Sequence, residues 1–248
     1  MSSKPDFGAR AATYDELRPV DDHWHEVYEA LVREGDLAGR RVLDVGCGTG
    51  RFAAALTDRS RVWAVDPSPE MLKVARRRAP GVRFKQASAD ALPFKDAWFE
   101  RATMWLVVHL LDRPSAFSEL RRVLAPDGNL AIATFDPSYF GVFWFRDYFP
   151  SMEAIDRARF PTTDDLAAEL PEAGFRPPRL VRISQRATMG REQALRRIRG
   201  RHIATFDLIS DEEYAEGLGR AERELPEWVD YRSEWLIAVA EASVRSAG

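Results

Sequence analysis

Apolar positions along this chain change their period several times, and the changes mark out elements. In DDHWHEVYEALVRE, from Asp21 to Glu34, Trp24, Val27, Tyr28 and Leu31 recur at the spacing of one helix face, and Gly35 stops the pattern. RVLDVGCGTG then begins as a short β-branched apolar run and breaks into glycines, which predicts a buried strand feeding a tight turn. Residues 51–58 predict the next helix, and RVWAVDPS predicts a second strand ending at Asp66 and Pro67. From Pro69 to Arg78 the positions of Met71, Leu72 and Ala75 are helical, after which VRFKQASAD predicts a third strand. FERATMWLVV predicts a fourth strand, RPSAFSELRRVLAPDG a helix closed by the turn Pro126-Asp127-Gly128, and NLAIATFD a fifth strand. Strands alternating with helices at this spacing predict right-handed crossovers and a mostly parallel, doubly wound sheet.

After Asp136 the regularity changes. YFGVFWFRDYF is dense in aromatic residues, TTDDLAAELPEAGF predicts an N-capped helix ending at Gly174, and RLVRISQ predicts a sixth strand. Residues 190–225 read as two strongly charged helical stretches, and SEWLIAVAEA closes the pattern as either a strand or a helix. No repeat or low-complexity tract interrupts the chain.

Composition narrows the classes. With 248 residues, 45% of them apolar and 30% charged, the chain is globular and long enough to bury a substantial core. A net charge of −3 gives no basic field to gather nucleic acid or an anionic membrane. The one cysteine, Cys47, excludes an internal disulfide, and no Cys/His set has zinc spacing, so no metal is expected. MSSKPDFGARAATYDELRP has no apolar core of a secretory signal, and the apolar stretches around 102–111 and 140–145 fall short of the ~20 residues that span a bilayer. The expectation is a soluble, cytoplasmic protein.

The sharpest chemical signal is Gly46-Cys47-Gly48-Thr49-Gly50 directly after a predicted strand, with Asp66 closing the next strand. Glycines at a strand-to-helix turn let a ligand approach the backbone, and an acid at the end of the second strand is placed to hold ribose hydroxyls. A nucleoside-containing ligand is implied. The dinucleotide fingerprint would need a third glycine where Arg51 stands, which disfavours a nicotinamide oxidoreductase. Asp44, one turn of strand before the glycines, suits a ligand amino group better than a pyrophosphate. Cys47 has no basic neighbour in sequence and reads as a small packed residue rather than a nucleophile.

These residues carry a resemblance. VLDVGCGTGRF is similar to the first motif of the class I methyltransferases, and AVDPSPEML, ASADALPF and LAPDGNLAIATF follow in the order of that family's later motifs. The branch it most resembles is that of the ubiquinone- and menaquinone-biosynthesis methyltransferases, over about residues 7–136, including the entry segment ATYDELRP; beyond Phe175 the match is thin. The resemblance implies a seven-stranded, Rossmann-like sheet with an N-terminal helix and helical lid or insertions. Length and pattern together read as one domain over 1–248: a cap segment at 1–36, a cofactor-binding core at 37–136, an aromatic lid at 137–162, and the C-terminal part of the sheet at 163–248 with a helical insertion at about 190–225.

The resemblance further implies S-adenosylmethionine as cofactor. Gly46, Gly48 and Gly50 would pass under its methionine portion, Asp44 would reach its ammonium through water or backbone, and Asp66 would take both ribose hydroxyls. Pro67 and Met71 would sandwich the adenine, and Ser88, Ala89 and Asp90 would read the adenine edge. Ser88 stands where many relatives carry Asp, so either Ser88 or Asp90 is the contact to the exocyclic amine. Tyr14 would cover the cofactor, with a surface aromatic as the alternative.

Methyl transfer from a sulfonium is an in-line displacement, so positioning supplies most of the catalysis and a base is optional. If the acceptor needs deprotonation, His109, just past the fourth strand at the ligand-binding edge, is a candidate base, as are Tyr14 and Tyr139; His109 is otherwise structural. Trp105, Tyr139, Phe143 and Trp144 would line a mostly apolar acceptor pocket, which points to a small aromatic or aliphatic acceptor; the other reading packs the aromatics into the core or an interface. His23 and His25 read as solvated, and His202 beside the run Arg196–Arg201 as a solvated face or an anion clamp. The rival functions are methylation of RNA or protein, against which the charge speaks, and a silent S-adenosylmethionine-binding partner subunit, which has no need of an acceptor pocket.

Overall fold

Side chains alternate across a pleated strand, so a strand that is apolar at every position feeds a core on each face of its sheet. Val42-Leu43, Val62 to Val65 and Leu130 to Ala133 are such runs here. The structure is a computed structural model that describes residues 7, 8, 11 and 13–243. Its strands are β1 (Arg41–Val45), β2 (Arg61–Asp66), β3 (Arg83–Gln86), β4 (Phe99–Trp105), β5 (Leu124–Phe135), β6 (Arg179–Gly190) and β7 (Trp228–Glu241). Its helices are α1 (Asp22–Glu34), α2 (Arg51–Leu56), α3 (Pro69–Arg78), α4 (Arg113–Val123), α5 (Ser151–Arg159), α6 (Thr163–Glu172), α7 (Arg191–Arg199) and α8 (Asp211–Glu224).

The strands form one sheet in the order β3-β2-β1-β4-β5-β7-β6. β1 to β5 pair in parallel, and β7 runs antiparallel between β5 and β6. On one face Leu43, Val45, Trp63, Val65, Leu130 and Ile132 meet Phe117 and Leu120 of α4 and Leu166 and Leu170 of α6. On the other face Val42, Val62, Ala64, Ala131 and Ala133 meet Val27 and Leu31 of α1 and Phe52 and Leu56 of α2. Each fully buried Leu or Phe contributes about 1.5–3 kcal/mol. The sheet is therefore doubly wound and seven-stranded, as the sequence pattern and resemblance imply.

Several boundaries move. The last element is a strand, and it starts at Trp228 because its first half pairs with an equally extended β6, from Gly190↔Trp228 onward. The helix ending in the Pro126-Asp127-Gly128 turn stops at Val123, since Leu124 already pairs with Phe99. The fourth strand stops at Trp105: Leu106 takes a φ of 50°, which turns the chain out of the sheet into the 3₁₀ turn Val108–Leu110. α5 has no clear apolar period; its buried positions are Met152 and an acid, Asp156. α7, α8 and the side chains of Phe145, Phe149 and Met152 build a satellite core with Ile198 and Phe206.

Candidate functional site

Between β1 and α2 the chain turns back on three glycines in left-handed conformation, Gly46 (φ 71°), Gly48 (φ 53°) and Gly50 (φ 74°). Two of them are required by packing. A Cβ on Gly46 would run into Val107, and one on Gly50 would lie 2.8 Å from the Cβ of Ala75 in α3. Gly48 differs, because a Cβ there would meet nothing within 4 Å. The turn is pinned from below, with the N–H groups of Gly46 and Cys47 donating to the Val65 carbonyl at 2.9 and 3.0 Å. It lies at the carboxyl edge where strand order reverses between β1 and β4, the crevice in which open α/β sheets bind ligands.

Two carboxylates frame this turn. Asp66, closing β2 and 8% exposed, accepts the Gly48 N–H on Oδ2 at 2.8 Å and the Ser68 N–H on Oδ1 at 2.9 Å. Burial pushes its pKa up while the two N–H groups pull it down. Each oxygen keeps a further acceptor position. Asp44, 1% exposed in β1, accepts from the Thr103 hydroxyl at 3.1 Å on Oδ1, whereas its buried Oδ2 has no partner among the described residues. Burial raises Asp44 to about 7, countered by the Thr103 hydrogen bond and reinforced by the negative charge of Asp66. A buried acceptor without a donor is a demand for one. Burial, then the charges of Asp44 and Asp66, drive the Cys47 thiol far up, so it is not a nucleophile at neutral pH.

The Tyr14 segment is held beside this turn by a cluster that the sequence pattern did not reveal. Asp15 lies 2.9 Å from Arg51 Nη2, accepts from the Thr49 hydroxyl at 3.0 Å, and pairs with Arg78 of α3. Arg78 donates to the Thr49 carbonyl at 2.8 Å, and Arg51 to the carbonyl of Arg18. The guanidinium of Arg18 sits 3.8 Å over the Tyr14 ring. The signal that was present is local: Asp15 adjoins Tyr14, and Arg51 stands where the dinucleotide fingerprint has glycine.

On the far side of Asp66, Pro67 and Ser88 and Asp90 lie toward the surface, whereas Ala89 is 5% exposed and Met71 2%. Ala87 N–H donates to the Asp66 carbonyl at 3.2 Å and Gln86 Nε2 to the Pro67 carbonyl at 3.1 Å, which ties the 88–90 turn to the acid.

The residues assigned to the acceptor are not brought together in one cluster. Trp105 packs among Trp24 (5.5 Å), Phe52 (5.3 Å) and Trp235 (5.5 Å). Trp235 continues to Phe135 at 4.5 Å and Phe135 to Phe160 at 6.3 Å, and Phe160 stacks on His109 at 3.9 Å with 10° between the planes. Tyr139 and Phe140 join Phe160 in a separate small cluster that Phe143 borders. Trp144 packs instead on the satellite core, where Phe145 and Phe149 are also buried. Burial, with a smaller contribution from Arg159, lowers His109 to about 3, and its Nδ1 is buried without a partner among the described residues.

Outside this region His25 is exposed and His23 half-buried. His202 rests against Phe145 and Phe206, and in the arginine run Arg199 pairs with Glu222 at 2.8 Å. Among the described residues no group of His, Cys, Asp and Glu is arranged to hold a metal, and no helix is long and apolar enough to cross a membrane.

A methyltransferase-domain family model matches residues 42–128. The chain is 36% identical over 188 residues to a malonyl-(acyl-carrier protein) O-methyltransferase of Halorhodospira halophila, covering 69% of this chain and 60% of that protein. It is 33% identical over 196 residues to a demethylmenaquinone methyltransferase of Deinococcus radiodurans, covering 72% of this chain and 80% of that one. Over the relatives of Halorhodospira halophila and Renibacterium salmoninarum it spans 60% and 61% of their lengths. Its fold is similar to that of a putative methyltransferase from an antibiotic biosynthesis pathway of Anabaena variabilis, with a TM-score of 0.68, 22% identity, and 86% of this chain and 96% of that one covered.

Proposed function

Because the chain belongs to the class I S-adenosylmethionine-dependent methyltransferases, we propose that it transfers a methyl group from S-adenosylmethionine to a small-molecule acceptor by in-line displacement. The observation that carries this reading is the pairing of a buried, donorless carboxylate oxygen on Asp44 with a glycine, Gly48, that faces open space beside Asp66. The cofactor's ammonium would supply the missing positive partner of Asp44, its methionine portion would lie over Gly48, and its ribose hydroxyls would donate to the free acceptor positions of Asp66. Pro67, Met71 and the turn Ser88-Ala89-Asp90 would hold the adenine, with Gly46 and Gly50 shaping the turn and Tyr14 closing over it.

When bound, the cofactor supplies an activated methyl group on a sulfonium. The chain's own task is to hold the acceptor in line with that group and to keep water out, which proximity and orientation make worth about 7–11 kcal/mol. The Asp15–Arg51–Arg78 cluster holds the Tyr14 segment beside the turn, from which Tyr14 would close over the cofactor. His109, which burial holds neutral, would be the group that hydrogen-bonds the acceptor or takes its proton. The acceptor is proposed to be small and mainly apolar, and the protein cytoplasmic.

Titration calorimetry with S-adenosylmethionine, S-adenosylhomocysteine and NAD tests the reading. The first two are expected to bind and NAD is not. Tight binding of NAD, or binding of neither adenosyl ligand, would overturn it.

A further inference from the structure

We infer that the methyl acceptor carries a carboxylate, and that Arg159 at the end of α5 binds it beside an aromatic cluster. The inference deepens the methyl-transfer reading and rests on it. The place is set by Phe160, which follows Arg159 and stacks face to face on His109 at 3.9 Å. That stack fixes the end of α5 over the turn that follows β4, on the edge of the sheet where the glycine turn lies.

Three buried polar atoms here have no partner among the described residues: Arg159 Nη2, His109 Nδ1 and the Tyr139 hydroxyl. Their residues meet at one group of rings: His109 stacks on Phe160, Arg159 precedes Phe160 in the chain, and Tyr139 belongs to the Phe160 cluster. Tyr139, Phe140 and Phe160 form a single cluster, with Phe135 and Phe143 against it. Buried polar atoms are paired almost without exception in folded proteins, so several orphans around one apolar cluster mark a place where a ligand completes the hydrogen bonding.

Arginine decides the chemistry. A guanidinium stays charged in a protein, so a buried one must be compensated by an anion. Arg159 is compensated only in part. Its Nη1 lies 3.5 Å from Asp156 Oδ1 and 3.4 Å from the Thr205 hydroxyl, both long for hydrogen bonds, and the same Asp156 oxygen accepts the Thr205 hydroxyl at 2.6 Å. Nη2 faces no acceptor among the described residues. The field of Arg159 reaches His109, which is one reason that ring stays neutral and able to donate a hydrogen bond to the same anion.

The size of the charge is also bounded. Asp156 stands beside Arg159 and would repel a second negative charge, which fits a monoanion better than a phosphate dianion. The rings of Phe135, Phe140, Phe143 and Phe160 fit an apolar or aromatic body attached to that carboxylate.

The test uses matched acid and amide probes on the full chain saturated with S-adenosylhomocysteine: indole-3-acetate against indole-3-acetamide, and 3-phenylpropionate against 3-phenylpropionamide. In the wild type each acid is expected to bind at least about tenfold tighter than its amide, the difference a charged hydrogen bond makes. Arg159→Gln is expected to erase that preference while leaving the affinity for S-adenosylhomocysteine unchanged. Equal affinity for acid and amide in the wild type, or no binding of any of the four probes, overturns the inference without reference to a variant, so a failure of Arg159→Gln to fold does not rescue it. A folded Arg159→Gln that keeps the preference also overturns it. Cofactor binding measured alongside separates the two readings: acid preference without any affinity for an adenosyl ligand would sink the methyl-transfer reading and leave the carboxylate site standing.

Discussion

Asp66 holds the N–H of Gly48 on Oδ2 at 2.8 Å, so the acid at the end of β2 and the open glycine of the β1–α2 turn form one hydrogen-bonded unit. Asp66→Ala removes the proposed acceptor of the ribose hydroxyls and frees the turn at the same time. At about 1.5–3 kcal/mol for a hydrogen bond to a charged group, S-adenosylmethionine should bind at least about tenfold more weakly. Calorimetry showing unchanged affinity removes Asp66 from the site.

Gly46 and Gly48 both have a left-handed φ but different surroundings, which separates folding from binding. Gly48→Ala adds a methyl group into open space, so its cost to stability is that of a left-handed alanine, about 1–2 kcal/mol. Gly46→Ala carries the same cost and also overpacks against Val107, about 1–3 kcal/mol more. The expected pattern is a clearly lower melting temperature for Gly46→Ala than for Gly48→Ala, with the larger loss of cofactor affinity per degree of melting in Gly48→Ala. The reverse order in thermal melts and calorimetry would mean that Gly48 is packed and the ligand lies elsewhere.

Asp15 carries the contacts that dock the Tyr14 segment. Asp15→Asn keeps a hydrogen-bond acceptor for Thr49 but loses the ion pairs with Arg51 and Arg78, which are partly shielded from water. The segment is expected to become cleavable by chymotrypsin after Tyr14 and the cofactor to bind a few-fold more weakly, a loss on the scale of surface-to-partly-buried pairs of about 1 kcal/mol. Unchanged cleavage and affinity would show that other contacts hold the segment.

His109 is lowered from 6.5 to about 3, so the folded protein resists protonating it. The sign follows from linkage: its contribution to stability is fully present above pH 6.5 and is lost as the pH falls from there toward 3. His109→Asn cannot titrate, so its stability should decline less than that of the wild type between about pH 6.5 and 4. Parallel declines in chemical denaturation over that range would place the ring in water.

The sheet was legible because its signal is local and repeated. Val42-Leu43 and Val62 to Val65 are apolar on both faces, a pattern only a doubly covered strand sustains, and the glycines and Asp66 announce the turn by residue type. The length of β7 was not legible, since Trp228 to Arg232 alternate with charges and become a strand only by pairing with β6. The aromatic run from Tyr139 to Phe149 gave no means of deciding which rings face which core; the structure divides them, with Tyr139 and Phe140 against Phe160 and Phe145 and Phe149 in the satellite core. Asp15 and Arg159 were invisible for a similar reason. A charge reads as solvated unless its partners are known, and theirs are distant in sequence or missing.

Asp44 links the site to pH. Its carboxyl is raised from 3.8 to about 7 by burial, so the folded protein binds this proton more tightly than the unfolded chain does. The stability that follows is fully present below pH 3.8 and is lost as the pH rises through 7, an effect on the order of a few kcal/mol. Asp44→Asn is spared that loss, so the stability of the variant relative to the wild type should grow between about pH 4 and 8. Binding has the opposite slope. A cationic ammonium beside Oδ2 favours the ionised carboxyl, so below the range in which the ligand's own amino group titrates S-adenosylmethionine should bind the wild type more tightly at about pH 7 than at about pH 5.5 and should release a proton on binding there. Calorimetry in buffers of different ionisation enthalpy reads that proton directly, and Asp44→Asn should show neither the slope nor the release. Equal affinity at the two pH values in the wild type, or the same slope retained in Asp44→Asn, would separate Asp44 from the ammonium and leave its orphaned oxygen to some other donor.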